Sequence, residues 1–316
     1  MKTTLPKRYI NYTPLPPKVF NFRKIGHIVS GLLLWPIYWG LSYIISTPGL
    51  RFRKYFIVVG IRFIIKKFDL RNAFHFIVTP LDSLRYFEFE FMWKSVKSLK
   101  LRSYLDVSSP RQFPLMVADR SRHVVADFLN PDKRDLEETV LMADTLGIKE
   151  RCRFHAELIG DALLVPNSYD LVTSMSVVEH IFDDNEAIQK MWDLLKPGGL
   201  LLITVPCAAE AYEEYMNRDD YELNSPNSDG FVFFQRFYDE KLLEERIFSV
   251  TGKPIRRQIY AEKQAGSYQK NETEKRTNRL YPYWRAPFTL GLHYEYREGA
   301  SNLPGIGVIG LEFLKR

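Results

Sequence analysis

The stretch "YLDVSSPRQFP" (104–114) decides how the rest of the chain is read. A short apolar strand ends on an acid, Asp106, and gives way at once to a turn, the outline of a ligand-binding strand-to-helix connection. Such connections use glycine, which accepts φ > 0 and lets the backbone come close to a ligand. Here Ser108, Ser109 and Pro110 stand instead. Serine is small but poor at φ > 0, and proline fixes φ and has no N–H to donate. The turn is therefore expected to follow a different path and to lack one backbone donor, with the Ser108 and Ser109 hydroxyls offered in exchange.

Working outward, short runs of Val, Leu and Ile alternate with helical patterns. "SYLDVS" (103–108), "HVVADFL" (123–129), "CRFHAELI" (152–159), "YDLVTSMSV" (169–177) and "LLLITVP" (200–206) read as strands. "RDLEETVLMADTLGI" (134–148) reads as a helix closed by Gly147, and "DDNEAIQKMWDLLKPGG" as a second, stopped by Pro197-Gly198-Gly199. A helix over 239–250 and strands over 253–262 and 305–316 complete the pattern. This alternation implies an α/β fold with a doubly wound, mostly parallel sheet, which binds ligands outside the strands' carboxyl ends. Between the last two strands lies an insertion rich in tyrosine (262–304), whose aromatic content argues for order.

The order of motifs resembles the class I S-adenosylmethionine-dependent methyltransferases, especially the small-molecule, methyltransferase-11-like branch. "YLDVSSP", "IGDALLVPNSYDLV" (159–172), "SVVEHI" (176–181) and "LLKPGGLLLITVP" (194–206) carry the likeness, which covers 101–316. It implies a seven-stranded Rossmann-like sheet with an antiparallel last strand, and S-adenosylmethionine as cofactor. It further implies that Asp106 anchors the first turn, with Ser108 and Ser109 beside the cofactor and Arg111 on its carboxylate. Asp127 is the candidate for the ribose hydroxyls, with Asn130 as rival. Asp161 and Ala162 fall where the family meets adenine, and Met175, Ser176, Glu179 and His180 would border the methyl. A hydroxyl acceptor needs a base; His180 is the first candidate and Glu179 the second.

The first hundred residues lie outside that likeness. Residues 1–105 hold 18 Lys/Arg against 4 Asp/Glu, and the remainder 26 against 34. A basic first third suggests an anionic partner for that part alone. "IGHIVSGLLLWPIYWGLSYIIS" (25–46) has no charged side chain and is long enough to cross a bilayer, and a second apolar run, "YFIVVGIRFII", spans 55–65. Basic residues flank the first run on both sides and Pro36 sits inside it, which favours a kinked, monotopic insertion on the inner face over a single span. A buried helical cap is the plain alternative. Nucleic acid fits poorly, because the basic residues flank an apolar run and line no exposed stripe. Two distant cysteines, Cys152 and Cys207, argue against a disulfide framework or a metal site. The expectation is a membrane-associated methyltransferase of a small, glycan or lipid-linked acceptor, with a non-catalytic binding protein on the same fold as alternative.

Overall fold

The computed structural model describes residues 5–12, 20–219 and 226–316. Strand β1 (Lys7–Ile10) lies parallel to β7 (Tyr212–Met216), which runs antiparallel to β8 (Val232–Phe237), and these three form a small separate sheet. The charge-free run forms α1 (Asn21–Ile44), a single helix with Pro36 inside it. Its contact with the protein is narrow. Gly31 meets Phe74 and Trp284 where a Cβ would be 3.0 Å from the Phe74 ring, and His27 and Tyr38 rest on Trp284 and Phe288. Ile25, Leu33, Ile37 and Ile44 remain exposed, and 11% of the most apolar stretch is buried.

The second apolar run becomes α2 (Phe52–Lys67), paired with α3 (Leu70–Val78). Their close approach needs Gly60, where a Cβ would stand 2.5 Å from Ile77. Helix α4 (Arg85–Val96) buries Phe87, Phe89 and Phe91 against the large sheet; Phe89 packs edge-on to Phe113, and Phe91 fills the space over Gly310. The region before residue 100 thus shares one core with the large sheet.

Strands β2 (Ser103–Val107), β3 (Val125–Leu129), β4 (Cys152–His155), β5 (Tyr169–Met175) and β6 (Leu195–Cys207) are mutually parallel through the pairs they form. With β9 (Arg256–Glu262), β10 (Tyr294–Arg297) and β11 (Gly307–Leu314) they make an eight-stranded sheet in the order β10-β9-β11-β6-β5-β2-β3-β4. Strand β11 is antiparallel to both neighbours, as expected. The eighth strand, β10, comes from the aromatic insertion, where the sequence predicts seven. Helices α5 (Gln112–Arg120), α6 (Lys133–Leu146) and α7 (Asp184–Leu194) make the crossovers. Asp132 caps α6 by accepting from the Arg134 and Asp135 N–H groups, and Gly147, at φ 77°, closes it.

Alternate residues of each strand enter opposite cores: Tyr104, Ala126 and Phe128 on one face, Leu105, Leu129 and Val172 on the other. The strand order reverses between β2 and β5, so the carboxyl ends there are the expected binding edge. Three local differences have physical causes. Pro197-Gly198-Gly199 lies inside β6, where the pairing skips residues and Gly198 takes φ 81°, a bulge and not a helix stop. Strand β4 ends at His155, four residues early, once β3 has no further residue to pair with it. The 239–250 helix is α8 (Glu240–Leu243), a π-helical turn (Glu244–Phe248) and α9 (Ser249–Thr251). The insertion is ordered as α10 (Ser267–Thr277), a 3-10 turn (Tyr283–Arg285), α11 (Ala286–His293) and β10.

Candidate active site

At the first turn Ser108 takes φ 54°, so the turn keeps the left-handed path that serine was expected to refuse. That conformation costs roughly 1–2 kcal/mol without glycine. Hydrogen bonds offset it: the Ser108 N–H and hydroxyl both donate to the Leu129 carbonyl, at 2.8 and 3.1 Å. The Ser109 N–H donates to Asp106 Oδ2 (3.0 Å), and the Ser109 hydroxyl accepts from the Met175 N–H (2.9 Å), tying the ends of β2 and β5 together. Thr173 donates to the other Asp106 oxygen at 2.6 Å. Burial raises the Asp106 carboxyl to about 6, against the opposing pull of the Ser109 and Thr173 hydrogen bonds. The N–H groups of Ser108 and Ser109 are therefore spent inside the protein, and Pro110 has none.

Arg111 reaches neither loop nor crevice. It donates to Asp135 Oδ1 at 2.6 Å, and Asp135 also accepts from the Asn130 amide at 2.9 Å. The three side chains form a latch across the carboxyl ends of β2 and β3.

The acids expected to converge do not meet. In the β2–β3 register Asp106 faces Phe128 and Leu105 faces Asp127, so Asp106 and Asp127 project from opposite faces of the sheet. Asp127 is buried and engaged by Arg153 (2.6 Å), His155 Nε2 (2.7 Å) and the Tyr169 hydroxyl (3.1 Å). The position level with Asp106 is Phe128, stacked on Phe154. Asp161 is exposed in the loop after β4, while its neighbour Ala162 is buried.

The free space lies farther along the same edge. A cavity of about 600 Å³ opens over the ends of β5 and β6, lined by Ser176, Glu179, His180, Glu88, Arg85 and Asp82 among others. A second, of about 270 Å³, touches Pro110 and Gln112 and shares Asp82, Arg85 and Tyr283 with the first. Glu88 accepts from Ser176 (2.5 Å), Thr204 (2.6 Å) and Arg85 (2.8 Å), which satisfies its charge. Glu179 is 3% exposed and its Oε2 has no partner among the described residues. Burial pushes this carboxyl up to about 8, so it is mainly neutral at pH 7.

His180 Nδ1 lies 2.6 Å from the Phe234 carbonyl, which can only accept, so Nδ1 carries the proton and Nε2 is the basic nitrogen. Burial lowers its pKa to about 4, which keeps the ring neutral. The segment carrying both residues is clamped from β8. Buried Arg236 bonds to Asp184 (2.6 Å) and to the Ile181 and Phe182 carbonyls, and Tyr238 donates to the same Asp184 (2.7 Å).

Asp82, Arg85 and Glu88 escape a reading of the sequence because no motif surrounds them. One signal exists: Glu88 is an acid within the aromatic run "RYFEFEFMW" (85–93), where a core helix has no place for an unpaired charge.

The wound sheet, its order and its ligand edge define a doubly wound α/β domain. Residues 132–263 match a family model described as a methyltransferase domain. No curated protein matches the chain. Solved structures of similar fold include MccD protein, 11% identical over 73% of this chain and 96% of that one, with a TM-score of 0.50. Coclaurine N-methyltransferase bound to N-methylheliamine and SAH is 14% identical over 74% of each chain, with a TM-score of 0.49. Geranyl diphosphate C-methyltransferase from Streptomyces coelicolor is 10% identical over 74% of this chain and 80% of that one, with a TM-score of 0.48. At such identities the likeness is one of fold. Over residues 132–263 the chain is thus similar to a methyltransferase domain, and its large sheet shares the fold of MccD protein.

Proposed function

We propose that the chain methylates a hydroxyl of a small, glycan or lipid-linked acceptor held in the 600 Å³ cavity. The observation that carries this reading is the unpartnered oxygen of Glu179, a residue in the wall of a cavity also lined by Ser176. S-adenosylmethionine supplies an electrophilic methyl group. The residues present fit its methionine end: the Ser108 turn keeps its left-handed path, Asp106 and Ser109 stand behind it, and the space by Pro110 and Gln112 is open. Asp161 and Ala162 would border the adenine. Asp127 is spent on Arg153 and His155, and Asn130, its rival at the end of β3, must leave Asp135 and the Asp132 N–H to meet a ribose. Arg111 must leave Asp135 to reach a cofactor carboxylate. Glu179, once ionised, accepts the acceptor's hydroxyl proton, while neutral His180 offers Nε2 as the second basic atom.

A second reading, a non-catalytic binding protein, draws support from the Arg111–Asp135–Asn130 latch and the internally spent N–H groups. Calorimetric titration of the full chain with S-adenosylhomocysteine separates the two. Saturable binding is expected; no heat at millimolar ligand would leave only the second reading.

The exposed apolar face of α1, flanked by Arg23, Lys24, Arg51 and Lys54, supports peripheral or monotopic attachment to an anionic membrane surface, on the cytoplasmic side. Removing the first hundred residues would strip the core, so the test keeps the full chain and changes Ile25, Leu33 and Ile37 to glutamate. Wild-type protein should co-sediment with anionic liposomes and the triple variant should not. Equal sedimentation would refute attachment through α1.

A further inference from the structure

We infer that the cavity takes a polyhydroxylated, sugar-like group read by two carboxylates, Glu179 at the reacting hydroxyl and Asp82 at a second one. This rests on the proposal that the 600 Å³ cavity holds the acceptor. Among the described residues that line it, two buried side-chain atoms lack a hydrogen-bond partner, Glu179 Oε2 and Asp82 Oδ1. Both are acceptors. The unpartnered donors of the molecule, such as the Trp39 indole and the Arg256 guanidinium, lie outside the cavity. What this space lacks is therefore hydrogen-bond donors, since a buried acceptor left unmet costs roughly 1–3 kcal/mol.

Two ligand chemistries supply donors, ammonium groups and hydroxyls. The neighbouring charges choose between them. Arg85, Arg218, Lys275 and Arg276 all line the cavity, and Glu88 is already matched by Arg85. Lys275 holds Asp82 through its other oxygen at 2.6 Å and Glu272 at 2.8 Å. Four cations face four carboxyls there (Asp82, Glu88, Glu179 and Glu272), so an ammonium finds no surplus of negative charge, whereas hydroxyls donate without adding charge. Tyr12, Phe234, Tyr268 and Tyr283 line the walls and offer flat apolar surfaces for the C–H face of a pyranose ring. Hydroxyl donors and ring faces occur together in sugars.

Saturation-transfer NMR on the full chain, with methyl glucoside, methyl galactoside and methyl mannoside as probes, tests this without any cofactor. At least one glycoside should bind saturably, with cyclohexylamine and tetrahydropyran weaker. Asp82→Asn and Glu179→Gln should each weaken it about tenfold or more. Lys253→Met, which changes an exposed lysine outside the cavity, should bind as wild type does. Absence of glycoside binding, a preference for the amine, or equal loss in Lys253→Met and Asp82→Asn would each overturn the inference. Glycoside binding without S-adenosylhomocysteine binding would sink methyl transfer and leave this site standing; the converse would do the reverse.

Discussion

The two ends of one sheet edge differ in how completely their polar groups are matched. Over β2 and β3, Asp106 is held by Ser109 and Thr173, and Arg111 and Asn130 share Asp135. Over β5 and β6, Glu88 is satisfied, but Glu179 and Asp82 each keep a buried oxygen without a partner. Unmet buried acceptors are costly and persist where a ligand completes them. The comparison teaches that the family's motif positions and the chemically demanding positions need not coincide. Here the polar groups of the motif end are matched among themselves, and the demand has moved to the cavity next to it.

The largest effect expected from breaking this contrast is on turnover. Glu179→Gln should lower kcat about 100-fold or more, the range of a positioned base. Wild-type kcat should rise with pH up to about 8, because only the ionised carboxylate accepts a proton. A small loss, or a flat profile, would return the role to His180. The same variant tests burial by a different route. The folded Glu179 carboxyl titrates near 8 and the unfolded one near 4.5, so its stabilisation is complete below 4.5 and lost as pH rises through 8. Between pH 7 and 8, above the Asp106 value of about 6, urea denaturation of wild type should show stability falling, by up to about 1.4 kcal/mol per pH unit. Glu179→Gln should be flatter there.

The smallest effect is expected at the motif end. The Arg111–Asp135 pair is part-exposed, so Arg111→Ala should cost less than about 1 kcal/mol. With the latch gone, S-adenosylhomocysteine should bind as well or better. Tenfold weaker binding would show that Arg111 swings to the cofactor, and the contrast between the two ends would dissolve.

Much of the fold is legible in the sequence because it rests on periodicity. The five parallel strands and the Gly147 stop follow from apolar runs of strand length and from turn residues, whereas the antiparallel β11 is implied by the family resemblance alone. The Ser108 turn departs from its expected path for a tertiary reason. Its left-handed φ depends on the Leu129 carbonyl, twenty-one residues away, accepting twice from the same serine. Pro197-Gly198-Gly199 reads as a stop, although β5 and the chain end at Lys315 hold it inside a strand. At the site, Glu179 and His180 are visible from their place after β5. Asp82 is not, since only the folded chain brings the α3–α4 turn over that strand.

Local order was settled by the amino-acid string: alternating short strands and helices, an apolar basic beginning, and an acid at the end of β2. Which acids share a space was settled by tertiary structure alone. Side chains alternate along a strand, so a one-residue difference in register sends a carboxylate to the other face. Register between neighbouring strands is a property of their packing, and that is why Asp127 turned away; the packing of the α3–α4 turn over the end of β5 brought Asp82 and Glu179 to line one cavity.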